Sequence, residues 1–195
     1  MLIVTGGIAC GKSTFLEVAN KMGYTCVDAD DWFNEYFSTT IEFHTLCMSA
    51  FGHRDLKSVA FVHQNWGKFI QRIDVFFRDF VVKYQGQCNK HDEKIDIICV
   101  PDIFQRGGWP LGNDILTIER SYNLKYAIER DTHRSEDLTL KIHQHQMDPG
   151  KRRRLADYVL KNEGSKEQFE KECEEWLKQH LPAVSTQPTK DIDTL

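Results

Sequence analysis

Residues 5–14 read TGGIACGKST and directly follow the apolar run MLIV at the start of the sequence. The segment matches the spacing G-x-x-x-x-G-K-[ST], with Gly6, Gly11, Lys12 and Ser13 at the fixed positions. Glycines permit positive φ and close approach of the backbone, so successive N–H groups of such a loop turn inward around a polyphosphate. The segment therefore predicts a phosphate-binding loop.

The sequence on either side of the loop has the context that this motif requires. LIVTG (2–6) is typical of a short buried strand, and KSTFLEVANKM (12–22) indicates a helix. The apolar face of that helix is expected to hold Phe15, Leu16, Val18 and Ala19. Its positive end points at the loop. We expect Lys12 to reach the β and γ phosphates and Ser13 to offer its oxygen to Mg²⁺.

The composition indicates one compact enzyme domain. The chain has 195 residues, 41% of them hydrophobic, and a net charge of -4, which argues against wholesale disorder and against a general polyanion-binding surface. Its six cysteines form no C-x-x-C pair, which favours reduced, cytosolic usage. The first strand leaves no room for a signal peptide and no run is long enough to span a bilayer. We expect a soluble, cytoplasmic protein.

Strands and helices alternate along most of the sequence. Further short strands are predicted at 24–30, 94–100, 114–118 and 156–162, each apolar enough to be buried on both faces. This alternation predicts an α/β fold of the P-loop NTPase class, with a five-stranded parallel sheet flanked by helices. Ligands of such sheets bind at the carboxyl ends of the strands.

The strand signal is interrupted between residues 31 and 90, where aromatic and aliphatic residues recur at helical spacing. We interpret this segment as a helical insert that covers the site and binds the acceptor. The core of the domain is then predicted at 1–30 and 91–180. Residues 181–195 contain two prolines and little periodicity, which indicates a flexible tail.

Acidic residues follow two of the predicted strands. VDAD (27–30) closes the second strand, and period-two alternation would put Asp28 and Asp30 on one face beside the phosphate loop. Two carboxylates there can hold Mg²⁺-bound water or accept a proton from a substrate hydroxyl. Alternatively, Asp30 or Asp31 caps the next helix. Asp102 also has two interpretations: it contacts the acceptor, or it caps the helix that follows.

Four segments resemble the dephospho-coenzyme A kinase family. TGGIACGKST (5–14) is similar to its TGGIxSGKST, and VDAD (27–30) is similar to its (V/I)DAD. QMDPGKRRRLADYVLKNEGS (146–165) resembles QM…KRxxADYVIDNxGS, and NLKYAIERD (123–131) resembles QLxRLxxRD. The resemblance implies a P-loop kinase with a helical acceptor domain and a lid at about 130–152. It further implies that ATP and Mg²⁺ are used to phosphorylate the ribose 3′-hydroxyl of dephospho-coenzyme A.

The resemblance also implies roles for single residues. Asp30 matches the catalytic aspartate of the family, Arg130 its lid arginine, and Asn162 with Gly164 the turn beside the adenine. Lys12 would join Asp30 and Arg130 in catalysis, Ser13 would hold the metal, and Asp28, Asp30 and Asp102 would meet the acceptor. The residues expected to bind ATP are Gly6, Gly7, Ile8, Ala9, Cys10, Gly11, Lys12, Ser13, Thr14, Arg130, Asn162 and Gly164.

The departures from the family pattern cluster on the acceptor side. Asn34 replaces the arginine of DADxxAR, Asp74 and Val75 stand where a His-Pro pair is expected, Tyr126 replaces an arginine, and PDIFQ (101–105) replaces PLLFE. The sequence therefore supports the assignment as an ATP-dependent kinase better than it supports dephospho-coenzyme A as the acceptor. A divergent, viral member of the family could instead phosphorylate a nucleoside, a nucleotide or a hydroxymethylpyrimidine in DNA.

A nucleotide-dependent switch protein is the second alternative. NKHD (89–92) imitates the guanine-reading motif N-K-x-D, but it precedes a predicted strand instead of following one. No D-x-x-G occurs in the sequence to sense a γ-phosphate. The sequence therefore favours ATP over GTP and an enzyme over a switch.

Basic residues near the end of the predicted lid have two interpretations. KRRR (151–154) is expected in the lid or on the surface rather than against nucleic acid, because a charge run is usually a solvated face. Arg130 and Arg134 either fold over the transferring phosphoryl group as a lid clamp, as mobile cationic segments do, or are solvated at a helix end.

Overall fold

The structure is a computed structural model of the chain. It describes residues 1–31, 41, 44–45, 48–49, 52, 95–101, 103–104, 113–121, 129 and 136–183. Arg130, Arg134, Asp102 and most of the predicted insert and tail lie outside these residues, so those predictions stay predictions.

The described part of the chain forms strands and helices in an alternating order. The elements with defined bounds are β1 (Leu2–Gly6), α1 (Lys12–Lys21), β2 (Cys26–Asp28), β3 (Ile97–Cys99), β4 (Ile115–Glu119), α2 (Glu136–His145), α3 (Pro149–Leu155), β5 (Tyr158–Lys161) and α4 (Lys166–His180). All five predicted strands are therefore present. β1 has its predicted bounds, β4 is shifted by one residue, and β2, β3 and β5 are shorter than the sequence pattern indicates.

The strands form one parallel sheet in the order β2-β3-β1-β4-β5. Leu2 pairs with Ile97 on one side of β1, and Thr5 pairs with Thr117 on the other. The predicted five-stranded parallel α/β fold is confirmed. Because β1 is central, the loop that follows it lies in the middle of the carboxyl edge, where such sheets bind ligands.

The core lies between the central strands and two helices. Every residue of β1, β3 and β4 is buried, as expected for parallel strands covered on both faces. Helix α1 packs on β1, β2, β3 and α4. The predicted apolar face of α1 is confirmed, since Phe15, Leu16, Val18 and Ala19 are all buried.

Helix α4 shows how the surrounding helices combine a buried and a solvated face. It buries Phe169, Cys173, Trp176 and Leu177, which recur at helical spacing, while most of its other residues are exposed. The Trp176 ring meets Phe15 edge-on at a centroid distance of 5.8 Å, which joins α4 to α1. No helix within the described ranges is both long and apolar enough to cross a membrane.

Two strands differ from the prediction that all are buried on both faces. β2 is only partly buried along its length, and β5 alternates between partly buried and exposed residues. The physical reason is their position, because β2 and β5 are the two edges of the sheet. Val159 of β5, for example, is 40% exposed. The prediction of full burial is wrong for these two edge strands.

Candidate active site

The segment between β1 and α1 forms a tight loop that depends on its glycines. Gly6 and Gly11 adopt φ values of 149° and 106°, a region that residues with a Cβ rarely enter. A Cβ on Gly11 would also lie 2.5 Å from Nδ2 of Asn162 and 2.7 Å from Cε1 of Phe169. Gly11 is thus required both by its backbone conformation and by the close approach of β5 and α4.

The Lys12 side chain folds back over this loop. Its Nζ donates hydrogen bonds to the carbonyl oxygens of Gly6 at 3.1 Å and Gly7 at 2.6 Å. Gly11 caps α1 without a side-chain hydrogen bond, and the first turn of α1 contains no acidic residue. The positive end of α1 and the Lys12 ammonium group therefore face the same side of the loop, an arrangement suited to an anion.

A pocket of about 320 Å³ lies against the loop. The predicted residues Ile8, Ala9, Gly11, Lys12, Ser13 and Thr14 line it. Asn162, which follows β5, lines it from the other side together with Arg120, Lys166 and Phe169. The structure thus brings Asn162 to the phosphate loop, while its predicted place beside the adenine stays a prediction. The pocket adds three residues that the sequence interpretation did not include.

The other predicted nucleotide residues that the structure describes do not line this pocket. Gly6 and Gly7 are buried in the turn, and Cys10 is 1% exposed beneath it. Gly164 lies next to Gln168, outside the pocket lining. Burial raises the pKa of the Cys10 thiol, and the nearby Lys12 charge opposes that rise only in part. Cys10 therefore stays a neutral side chain under the loop.

Three of the four described cysteines lie in the interior of the domain. Cys10, Cys26, Cys99 and Cys173 are free thiols. Burial is the largest cause that raises the pKa of Cys26 and of Cys173 to about 12. Thiols with such pKa values carry little thiolate at neutral pH and react slowly.

Asp28 and Asp30 do not share a strand. β2 ends at Asp28, and residues 29–31 are already helical. The Asp28 carboxylate accepts a hydrogen bond from the Asp30 N–H at 3.0 Å, so Asp28 caps this helical turn. The prediction that strand alternation aligns the two carboxylates is wrong. The alternative prediction that an aspartate caps the next helix is confirmed, but the capping residue is Asp28 and not Asp30 or Asp31.

The two aspartates differ in their surroundings. Asp28 is partly buried and Asp30 is exposed. Burial raises the pKa of the Asp28 carboxyl, and Asp31 acts in the same direction. The N–H groups of Asp30 and Asp31 and the Lys12 charge lower this pKa without cancelling the effect of burial. Lys12 and Asp28 therefore lie close enough to interact at the carboxyl edge of the sheet.

The raised pKa of Asp28 predicts a stability change. Between the ordinary value of 3.8 and the raised pKa, the folded state binds more protons than the unfolded state, so stability falls as the pH rises. Asparagine caps helices as well as aspartate does. We therefore expect Asp28→Asn to increase the free energy of unfolding at neutral pH, with the increase disappearing near about pH 4. Urea unfolding at both pH values measures this, and a less stable variant at neutral pH would contradict it.

The donor set fits Mg²⁺ bound together with a nucleotide. Within the described part of the chain, no group of three or more His, Cys, Asp and Glu side chains is arranged to hold a metal. Among the described residues, oxygen donors at this edge include the exposed Ser13 hydroxyl and the carboxylates of Asp28 and Asp30. Mg²⁺ commonly takes one or two protein oxygens and completes its shell with substrate phosphates and water. These residues suit that mode and not a cage of protein ligands.

A buried ion pair lies beneath the loop, and the sequence interpretation missed it. Arg152 of α3 donates from Nε to Glu119 Oε1 at 2.6 Å and from Nη2 to Oε2 at 3.0 Å. The two side chains are 4% and 5% exposed. Thr117 donates its hydroxyl to the same carboxylate at 2.8 Å. The expectation of a lid or surface position is therefore wrong for Arg152, although Lys151, Arg153 and Arg154 are exposed.

One signal in the sequence could have indicated this pair. Glu119 closes the otherwise uncharged run ILTIE, so its carboxylate was certain to lie at the end of a buried strand. A buried carboxylate requires a charged or hydrogen-bonding partner. The sequence does not identify that partner. Arg152 lies 33 positions later, in a run of basic residues that look alike in the sequence.

Comparisons with known proteins identify the family of this chain. The dephospho-CoA kinase family model matches residues 1–168. The dephospho-CoA kinase of Helicobacter pylori is 24% identical over 192 residues, which cover 91% of this chain and 95% of that protein. The enzyme of Fusobacterium nucleatum is 28% identical over 182 residues, which cover 88% of this chain and 93% of that protein.

A solved structure supports the fold independently. The dephospho-CoA kinase from Campylobacter jejuni superposes with a TM-score of 0.62 at 22% identity, and the match covers 91% of this chain and 95% of that one. The match to the family model extends from the phosphate loop past Asn162 to the first turn of α4. The chain belongs to the dephospho-CoA kinase family and is an ATP-dependent P-loop kinase.

Proposed function

We propose that this kinase transfers the γ-phosphoryl group of ATP to the ribose 3′-hydroxyl of dephospho-coenzyme A. The observation that carries the proposal is the position of the phosphate loop and the Asp28–Asp30 segment at one edge of the sheet, close enough for the Lys12 charge to act on Asp28. Since the family model spans both segments, the acceptor of the family is the first candidate for this chain. The reduced thiols and the use of ATP favour the cytoplasm as the compartment.

ATP would bind with its phosphates in the loop. The N–H groups of the loop and the positive end of α1 would surround the β and γ phosphates, and Lys12 would exchange its bonds to Gly6 and Gly7 for the phosphate oxygens. The nucleoside would extend toward Arg120 and Asn162, which line the other side of the pocket. Mg²⁺, held by Ser13 and the phosphates, would neutralise charge on the transferring group.

The transfer itself needs an aligned acceptor and a place for its proton. Asp30, which is exposed at the edge, would accept the proton of the 3′-hydroxyl as the oxygen attacks the γ-phosphorus. The bond from that phosphorus to the β–γ bridging oxygen then breaks, and ADP leaves. Arg130, from the proposed lid, would stabilise the charge on the transferring phosphoryl group. Asp28 and Asp102 are proposed to orient the acceptor.

Replacing Lys12 tests the donor side of this proposal. Lys12→Ala is expected to weaken binding of ATP and to lower turnover together, each by about 10- to 100-fold, because hydrogen bonds from a charged group are lost. Calorimetry with ADP and a steady-state assay measure the two effects. Lys21→Ala is the matched control, since Lys21 is exposed in the last turn of the same helix. Normal turnover by Lys12→Ala would count against the phosphate-loop assignment.

The acceptor is tested by comparing alternatives at equal concentration. ADP formation is measured with Mg²⁺ and dephospho-coenzyme A, a set of nucleosides and deoxynucleotides, or DNA containing hydroxymethylpyrimidine. The proposal predicts rapid turnover with dephospho-coenzyme A. Turnover with only one of the other acceptors would show that the acceptor-binding residues have changed specificity while the ATP-binding core of the kinase is retained. Slow hydrolysis that no acceptor accelerates would instead indicate a switch protein.

A further inference from the structure

The phosphate loop contains one strained residue. Ala9 has a φ of 57° and is the one residue other than glycine with a positive φ in the described part of the chain. A left-handed conformation costs free energy for any residue with a Cβ. Such conformations persist where the surrounding structure holds them, and they concentrate at functional sites. Ala9 also lines the pocket, so its conformation shapes the surface that faces the phosphates.

Two side chains from the C-terminal third of the chain hold the residues on either side of Ala9. Oε1 of Gln146 accepts a hydrogen bond from the Ile8 N–H at 2.9 Å. Nδ2 of Asn162 donates to the Cys10 carbonyl oxygen, also at 2.9 Å. The strained residue is therefore fixed immediately before and immediately after its own position.

Gln146 is itself firmly placed. Its N–H donates to the carbonyl oxygens of Ile142 and His143 at the end of α2. The next residue, Met147, accepts a hydrogen bond at its carbonyl oxygen from Nη1 of Arg152 at 3.1 Å. Because Arg152 is bound through both Nε and Nη2 to Glu119 of β4, the turn between α2 and α3 is anchored to the strand beside the central strand β1.

We infer that Gln146 is a positioning residue that keeps Ala9 left-handed and so holds the phosphate loop in the shape that binds ATP. Gln146 does not line the pocket, so it acts through Ile8 and not by contact with the nucleotide. The Glu119–Arg152 pair fixes the turn that carries Gln146. This inference rests on ATP as the phosphoryl donor and holds for any acceptor.

The inference has a matched pair of variants. Gln146→Met keeps the length of the side chain and removes the acceptor oxygen. Gln144→Met makes the same change at an exposed position two residues earlier on α2. We expect Gln146→Met to weaken the affinity for Mg²⁺-ADP about 5- to 10-fold, the factor that one ordinary hydrogen bond implies, and Gln144→Met to leave it unchanged. Hydrogen exchange of the Ile8 N–H should accelerate in Gln146→Met alone.

A second substitution distinguishes positioning from a general packing role. Glycine enters the left-handed region without a steric cost, so Ala9→Gly removes the strain that Gln146 holds. We expect the loss of Mg²⁺-ADP affinity caused by Gln146→Met to shrink to about 2-fold or less in the Ala9→Gly background. A packing defect would give the same loss in both backgrounds.

Each outcome of these measurements either supports or overturns the positioning role of Gln146. Weaker Mg²⁺-ADP binding by Gln146→Met, relieved in the Ala9→Gly background, supports the inference. Binding equal to that of the unmodified protein overturns it, and so does a loss of the same size in both backgrounds. Since binding of Mg²⁺-ADP is measured without an acceptor, inactivity toward dephospho-coenzyme A would contradict the proposed function and leave this result unaffected.

Discussion

Replacing Asp30 by asparagine is expected to lower kcat about 10²- to 10⁴-fold while the affinity for ATP stays nearly unchanged. The reason is positional and chemical. Asp30 follows the carboxyl end of β2, and its side chain is exposed at that edge of the sheet. Asparagine preserves the shape of the side chain but cannot accept the proton of the acceptor hydroxyl. A general base typically contributes this range of rate.

The neighbouring residue provides the control for that experiment. Asp31→Asn removes one carboxylate from the same helical turn, so it reproduces the change in local charge without touching the proposed base. We expect kcat of this variant to stay within about 3-fold, because screening weakens the interaction of exposed charges. Single-turnover measurements with saturating ATP separate chemistry from product release. If Asp30→Asn turns over at the unmodified rate, the residue is not the base.

Replacing Arg152 by methionine is expected to reduce the free energy of unfolding by about 3–5 kcal/mol. The substitution leaves the Glu119 carboxylate buried with the Thr117 hydroxyl as its remaining described side-chain donor. It also removes the hydrogen bond to the Met147 carbonyl, which holds the turn before α3. Breaking a buried pair is costly because the surviving charge keeps its desolvation penalty.

A double-mutant cycle measures how much of that loss belongs to the pair. Glu119→Gln together with Arg152→Met removes both charges, and we expect the double variant to be more stable than Arg152→Met alone. Arg153→Met is the control on the same helix, since Arg153 is exposed. Urea unfolding gives the four values of the cycle, from the unmodified protein, the two single variants and the double variant, and a fifth value for the control. An Arg152→Met variant as stable as the Arg153→Met control would contradict the structural role of the pair.

The central part of the fold was readable from the sequence because its signals are local. The glycines, the lysine and the flanking apolar runs of residues 2–22 lie within one βα unit, and the structure has β1 and α1 where that pattern predicts them. Parallel pairing followed from the alternation of strands and helices. The edge positions of β2 and β5 did not follow, because strand order depends on contacts between segments far apart in the chain.

The residues that hold the site in place could not be predicted from local sequence, because they contact segments far away in the chain. Asp30 was predicted to lie in the strand, but the strand ends at Asp28 and a helical turn begins directly after it. The cap by Asp28 depends on the backbone geometry of that turn. Gln146 lies 138 positions from the amide that it accepts from. It opens a segment that resembles the family, but the resemblance gave it no role. Arg152 is hidden among three exposed basic residues, and only the approach of β4 selects it.

The most direct test of the central claim is the identity of the phosphorylated product. The purified kinase is incubated with Mg²⁺, ATP labelled in the γ-phosphoryl group, and dephospho-coenzyme A, and the product is separated and examined by phosphorus NMR. The account predicts that the label appears as a phosphate monoester on the ribose 3′-oxygen, in coenzyme A. Label recovered only as inorganic phosphate, or on another oxygen of the acceptor, would contradict it.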